Sequence, residues 1–240
     1  MTDRFLRALI DTAAGMYRPA GPFAYHFARG KLRGDPIFRE LLRQGLLPAQ
    51  ARIIDLGCGQ GLLAAWLLAA RQLHARGNWP VDWPPPPRLT KFHGIELSPR
   101  DVSRARRALA VHGSAVEIIG GNIADSDFGH AGQVTIFDVL HYLAPPAQDE
   151  VLHRARATLP AGGRLLLRVG DAAAGLPFRL TTAVDLAISF MRGNRLRRLH
   201  GRPLRDWIAQ LENLGFSVRH QPMNAGKPFA NTLLIAQLPD

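Results

Sequence analysis

The chain has 240 residues, 47% hydrophobic and 20% charged, and 30 basic against 19 acidic side chains give it a formal charge of +11. Its length suits one sizeable α/β core with a small cap better than two independent domains, and the composition excludes a disordered or low-complexity protein. The lone cysteine, Cys58, excludes an intrachain disulfide and a cysteine-built metal cluster.

The longest apolar run, Leu62 to Ala70, is too short to span a bilayer. The opening Met1-Thr2-Asp3-Arg4-Phe5 does not resemble a secretory signal. A soluble cytoplasmic protein with no membrane insertion is therefore expected.

The first fifty residues read as a helical cap. Phe5, Leu6, Leu9 and Ile10 recur at helical spacing, and Pro19 to Pro22 interrupts it. An aromatic and basic segment, Phe23 to Leu32, follows; its Tyr25, His26 and Lys31 suit either packing or a pocket. Asp35-Pro36 starts another helix, with Asp35 as N-cap, running to about Gln44 and stopping at Gly45.

An alternating β/α pattern then occupies residues 51–240, and no internal repeat appears. Strand one is predicted at Arg52–Leu56, with a helix from Leu62 to near Gly77. Next comes Asn78-Trp79-Pro80-Val81-Asp82-Trp83 with four consecutive prolines, 84–87, a stiff spacer that joins neither helix nor sheet. It reads as a surface excursion, or alternatively as a docking or lid element, since two tryptophans are poorly placed in water.

Strand two is predicted at Lys91–Glu96, and Ser98-Pro99-Arg100-Asp101 opens a helix that ends at His112-Gly113. Strand three is Ala115–Gly120 and strand four Gln133–Val139. A helix from Pro145 or Pro146 to about Leu159 and strand five, Arg164–Val169, follow. Residues 171–202 break the alternation and read as a substrate-covering insertion, apolar from Leu176 to Phe190 and then arginine-rich. A helix at Pro203–Leu214 and strands at Phe216–Gln221 and Asn231–Gln237 complete a doubly wound, mostly parallel seven-stranded sheet with an antiparallel edge.

Ligands of an open parallel sheet bind beyond the carboxyl ends of its strands. After strand one stands Asp55-Leu56-Gly57-Cys58-Gly59-Gln60-Gly61, whose glycines let a ligand lie on the backbone. Asp55 would repel a pyrophosphate, so the turn suits a ligand with positive charge. Glu96 ends strand two, as a ribose-diol acceptor or a cap of the next helix, with Leu97 beside it. Its distance from Gly61 exceeds the roughly 20 residues of dinucleotide folds, and the proline insertion accounts for the excess. Asn122 and Ile123 follow strand three and suit an adenine. Asp138 follows strand four, to bind ligand or to satisfy backbone groups.

This Asp-x-Gly-x-Gly-x-Gly turn resembles motif I of class I S-adenosylmethionine-dependent methyltransferases, closely over about residues 51–170 and loosely at the C-terminal strands. The resemblance implies a Rossmann-like methyltransferase fold with S-adenosyl-L-methionine as cofactor. It makes Asp55, Gly57, Cys58, Gly59, Gly61, Glu96, Leu97, Asn122, Ile123 and Asp138 its binding residues, and puts Asp138 beside the methionine moiety. Many family members carry Asp at the Asn122 position; Asn still accepts a hydrogen bond, and Asp125 is an alternative adenine partner. No metal is implied.

Because the sulfonium is already activated, the protein must align a nucleophile and, where required, remove a proton. His141 is the candidate base, with substrate-orienting and structural roles open beside it. Tyr142 is a weaker candidate, and Arg168 with Asp171 is placed to order a substrate.

The acceptor is less legible. Asp138-Val139-Leu140-His141 departs from the Asn/Asp-Pro-Pro-Tyr/Phe pattern of nucleic-acid amino methyltransferases, and RNA-module signatures are absent. From Arg168 to Arg205 eight arginines face only Asp171 and Asp185. That bias reflects either coding composition or an anionic partner.

Asp138 to Leu143, Arg168-Val169-Gly170-Asp171 and Pro228-Phe229-Ala230-Asn231 are similar to methyltransferases of bacterial aryl-polyene and xanthomonadin-type pigment pathways. That resemblance implies a small or carrier-bound acidic, aromatic polyketide-type acceptor methylated on oxygen or carbon. An RNA methyltransferase using the basic surface and a non-catalytic cofactor-binding protein are the alternatives.

Overall fold

A computed structural model describes residues 2–176, 199–223 and 230–240. The chain divides into two units, Met1–Asn122 and Ile123–Asp240. Seven strands form the sheet, contributed as β3-β2-β1 by the first unit and β4-β5-β7-β6 by the second. The mostly parallel strands and the antiparallel edge are those that the alternating pattern predicts, and they agree with the Rossmann-like fold that the resemblance implies.

The first unit opens with three helices, α1 (Thr2–Gly15), α2 (Pro22–Gly34) and α3 (Pro36–Arg43). Asp35 caps α3 by accepting the Ile37 N–H. At its other end Gly45, with φ +60°, lets the Leu46 N–H reach the Leu41 carbonyl.

β1 (Gln50–Leu56) alternates exposed and buried at its start and is fully buried from Ile53 onward. It pairs in parallel with β2 (Arg88–Glu96), which pairs in parallel with β3 (Val116–Gly120). α4 (Leu62–Ala75) is apolar nearly all round, and nine of its residues are buried. Gly77 closes it in the left-handed region, with Asn78 N–H bonded to Leu73 O.

α5 (Pro99–Leu109) starts on Ser98, whose hydroxyl accepts the Asp101 N–H. It stops four residues short of the expected end. Residues 110–115 tighten into a 3-10 segment whose Gly113 has φ +51° and ψ −132°, which no α-helix accommodates.

The two tryptophans of the proline-rich stretch pack against Phe5 of α1, Trp79 remaining half-buried. Trp83 is buried, and the rings of Phe5, Trp79 and Trp83 meet edge to face with centroids 5.2 to 5.9 Å apart. The indole N–H of Trp79 donates to Pro84 O at 3.1 Å. These contacts fasten the excursion to α1 and remove the reason for reading it as a docking element. Trp66 of α4 likewise donates to Phe38 O of α3 at 2.7 Å. The N-terminal helices are thus built onto the same helix that starts at the glycine turn.

In the second unit β4 (Gln133–Phe137) pairs in parallel with β5 (Arg164–Gly170), joined by α6 (Pro145–Thr158). After α7 (Leu204–Asn213), β6 (Ser217–Pro222) and β7 (Asn231–Gln237) finish the chain, with β7 antiparallel to both β5 and β6. Buried runs at Leu165–Val169 and Leu233–Ala236 suit strands covered on both faces.

β4 ends two residues earlier than expected, because Asp138 turns to φ +57° and leaves the ladder. Most of the expected insertion, including its apolar run beyond Leu176 and the arginines from 179 to 198, lies outside the described residues. So do Pro228 and Phe229. No helix among the described residues is long and apolar enough to cross a membrane.

Candidate functional site

The centre of the first unit is the turn between β1 and α4. Gly57, Gly59 and Gly61 all have positive φ, at +76°, +56° and +72°, a conformation that disfavours any residue with a Cβ. A Cβ on Gly61 would also lie 2.8 Å from Leu109 Cδ1 of α5. The third glycine therefore sets helix packing as well as backbone shape.

The turn is tied to β2. The N–H groups of Gly57 and Cys58 both donate to Ile95 O, at 2.8 and 3.1 Å. Glu96 completes the tie, its Oε2 accepting the Gly59 N–H and its Oε1 the Ser98 N–H, each at 2.8 Å. The expected ribose acid therefore also braces two loops. A carboxylate oxygen accepts two hydrogen bonds, so each retains a lone pair for a diol.

Asp55 is buried at the end of β1, and Leu97, the residue after Glu96, is 59% exposed. Asn122 is half-buried.

Cys58 is buried, and burial first, then the Asp55 and Glu96 carboxylates, push its thiol well above the ordinary range. It packs as a neutral thiol. Gly94 makes room for it, since a Cβ there would stand 2.7 Å from Cys58 Sγ.

Two features escaped the sequence reading. Tyr17, buried on the N-terminal side, donates its hydroxyl to Gln60 O at 2.7 Å; burial raises its pKa well above the usual phenol value. Gln60 itself is 1% exposed, yet neither its Nε2 nor its Oε1 has a hydrogen-bond partner among the described residues. An unsatisfied buried polar group costs about 1–3 kcal/mol. Gln60 stands in the motif, but its backbone carbonyl is held by a tyrosine 43 positions earlier. A glycine turn of positive φ and two buried acids fit a ligand that is cationic at one end and carries a diol.

In the second unit Ile123 is buried. Arg154 of α6 gathers its loop by donating to Ile123 O (3.4 Å), Ala124 O (2.6 Å) and Ser126 O, while its guanidinium covers the Phe128 ring. No local signal marks Arg154. The alternative adenine partner, Asp125, is exposed in this loop.

Asp138 is gripped by Arg168 of β5. Arg168 Nε donates to Oδ1 at 2.9 Å and Nη2 to Oδ2, while the Asp138 N–H returns to Arg168 O at 3.2 Å. Arg168 is 3% exposed and the Asp138 side chain 22%. Such a bidentate pair holds both groups in a fixed orientation. It also explains how a non-glycine residue keeps a positive φ.

Arg168 and Asp171, the two groups expected to order a substrate, have different bonding partners. Asp171 accepts the Ala173 and Leu204 N–H groups, each at 2.9 Å, and so joins the end of β5 to the start of α7.

His141 lies on a 3-10 turn, Leu140–Tyr142, and its carbonyl accepts the His200 N–H at 2.8 Å. The fully buried Gln148 fastens this turn, its Nε2 lying 2.8 to 3.1 Å from the carbonyls of Leu140, Leu143 and His200. Burial lowers the His141 pKa; the nearby Asp138 carboxylate opposes that shift without cancelling it. Burial thus favours the neutral imidazole.

A family model described as a methyltransferase domain matches residues 26–221, and the chain belongs to that family, which uses S-adenosyl-L-methionine. The chain is 32% identical over 119 residues to the carboxy-S-adenosyl-L-methionine synthase of Chromohalobacter salexigens, a match covering 49% of this chain and 39% of the relative.

Among solved structures, an O-methyltransferase family protein from Burkholderia thailandensis superposes with TM-score 0.61 at 23% identity, over 93% of this chain and 62% of that one. Magnesium protoporphyrin IX methyltransferase from Synechocystis PCC 6803, with bound SAH, gives TM-score 0.58 at 18% identity, over 91% and 88%. The chain thus spans about two fifths of the curated relative and three fifths of the first structure. The structural likenesses establish the fold.

Proposed function

We propose that this chain transfers the methyl group of S-adenosyl-L-methionine to a small or carrier-bound aromatic, polyketide-type acceptor, on oxygen or carbon, in the cytoplasm. The observation that carries the cofactor half is the glycine turn braced to β2 through both oxygens of Glu96. Cofactor contacts are assigned to Asp55, Gly57, Cys58, Gly59, Gly61, Glu96, Leu97 and Asn122, and in the second unit to Ile123 and Asp138. Residues 1–50 are assigned a capping role.

When bound, the cofactor supplies a methyl group already activated on a sulfonium. Asp55 complements its positive charge, Glu96 orients its ribose, and Leu97 offers an apolar face to its adenine. The acceptor's heteroatom or ring carbon gains the methyl and loses a proton. His141 takes that proton on an imidazole nitrogen, its neutral form being available because burial lowers its pKa. Arg168 holds Asp138, and Gln148 the His141 turn, in fixed positions.

The acceptor class rests on the likeness of Asp138 to Leu143 and Arg168 to Asp171 to pigment-pathway methyltransferases. The net charge of +11 favours an anionic acceptor or carrier and is also what an RNA substrate needs.

Incubation with methyl-labelled cofactor and fractionated extract separates these readings. Label in an extractable or carrier-linked product is expected. Label in RNA overturns the acceptor assignment, and no label in any fraction, with the cofactor bound, overturns catalysis.

A further inference from the structure

One face of the first unit is strongly basic, and the cofactor assignment above does not use it. Residues 15–34 and 97–115 carry four basic side chains each and one acid between them, Asp101, which is 1% exposed. On α5, Arg100, Arg104 and Arg107 stand at i, i+4 and i+7, a single stripe about 10 Å long. Arg100 and Arg107 are exposed and make no ion pair among the described residues.

The stripe has an apolar neighbour. Phe23 of α2 is 47% exposed, and Arg104 lies over its ring at 4.3 Å while donating to Asp101 Oδ1 at 3.2 Å. That guanidinium is fixed before any partner arrives, which lowers the ordering cost of binding. The turn between α1 and α2 packs on α5 and adds the exposed Arg18, held over the Tyr25 ring at 4.9 Å.

An exposed aromatic beside arginines is the make-up of an interface for an acidic protein. A base-stacking platform needs an open ring face, whereas Phe23 already carries a guanidinium and a parallel neighbour, Phe27, at 6.1 Å. The opposite side of α5 meets the glycine turn, since a Cβ on Gly61 would touch Leu109 and Ala105. The stripe is therefore about one helix width, roughly 10 Å, from that turn.

We propose that Arg100, Arg104, Arg107 and Phe23 dock an acidic helix of a protein that carries the acceptor. The inference rests on the carrier-bound form of the function proposed above and deepens it by naming the surface the carrier uses. Exposed ion pairs are individually weak, so the association is weak and salt-sensitive, as delivery and release of a carried acceptor require.

The test is fluorescence anisotropy with the full chain and three labelled probes. These are an amphipathic peptide with Glu at i, i+4 and i+7 of its polar face, the same peptide with Gln for Glu, and a single-stranded RNA. Saturable binding of the Glu peptide, in preference to the other two, is expected. Arg100→Gln/Arg107→Gln should weaken it about fivefold or more, and Phe23→Ser should weaken it as well. Arg76→Gln/Arg88→Gln removes the same charge from exposed positions elsewhere and should leave it within about twofold.

Equal loss in the two arginine variants, or equal binding of the Gln peptide, overturns the inference. RNA bound more tightly than the Glu peptide, and weakened by the α5 variant, overturns it in favour of a nucleic acid. S-adenosylhomocysteine is titrated into the same samples to keep the two readings apart. A wild type that binds this analogue but not the Glu peptide overturns the docking face and leaves the cofactor reading standing. One that binds the peptide but not the analogue overturns the cofactor reading, and the inference with it.

Discussion

At the scale of single residues, three positions carry distinct and measurable demands. Gly61 combines a φ of +72° with a neighbour 2.8 Å from any added Cβ. Gly61→Ala therefore incurs the left-handed penalty of about 1–2 kcal/mol plus displacement of Leu109. A lower urea midpoint at unchanged slope is expected.

His141 carries a pH signature. Its folded pKa lies below the ordinary value of about 6.5, so below that value the unfolded chain binds the extra proton first. Stability is then lost as pH falls through about 6.5 toward the folded pKa. If His141 is the base, kcat/KM falls on the acid side with an apparent pKa under about 6.5. His141→Gln should remove that limb and lower kcat by about 10²- to 10⁴-fold. An unchanged profile in the variant assigns His141 to structure.

Arg168→Met strips the partner from Asp138. A loss of about 3 kcal/mol is expected, the low end for breaking a buried pair, because Asp138 keeps 22% side-chain exposure. Denaturant titration of this variant beside the Asp138→Leu/Arg168→Met double variant checks it, since the double change should recover part of the loss.

At the scale of elements, the chain's local signals and its tertiary contacts diverge in an instructive way. The turn from β1 into α4, the Ser98 and Asp35 caps and the glycine stops at Gly45 and Gly77 were all legible, because each depends on residues within a few positions of one another. The end of β4 was not. Asp138 leaves the strand through a grip from Arg168, 30 residues further on. The proline-rich excursion was legible as a break but not in its attachment, which depends on Phe5 more than seventy positions away. Likewise Arg154 of α6 gathers the 123–128 loop from about thirty positions away, and nothing in its neighbours announces that.

The aromatic attachment is itself testable. Phe5 is buried among Trp79 and Trp83, and Phe5→Ala should cost about 3–5 kcal/mol, typical of truncating a core aromatic. Red-shifted tryptophan emission should accompany it. Unchanged stability and emission contradict the account of the excursion as a fastened element.

At the scale of the whole molecule, membership of the methyltransferase-domain family rests on a match over residues 26–221. The acceptor rests on charge and on likeness in short segments. The charge excess has a measurable consequence: if it serves RNA, binding to RNA falls by about 10³ or more between about 50 and 200 mM salt, whereas a small-molecule reaction keeps its rate.

The central claim is narrower, that the glycine turn with Asp55 and Glu96 holds S-adenosylmethionine. Its most direct test is titration of S-adenosylhomocysteine into the wild type and into Gly57→Leu, with the fold of each checked by circular dichroism. Saturable one-to-one binding by the wild type, abolished in a folded Gly57→Leu chain, is the predicted result. Binding that persists unchanged in the variant, or is absent from the wild type, contradicts it.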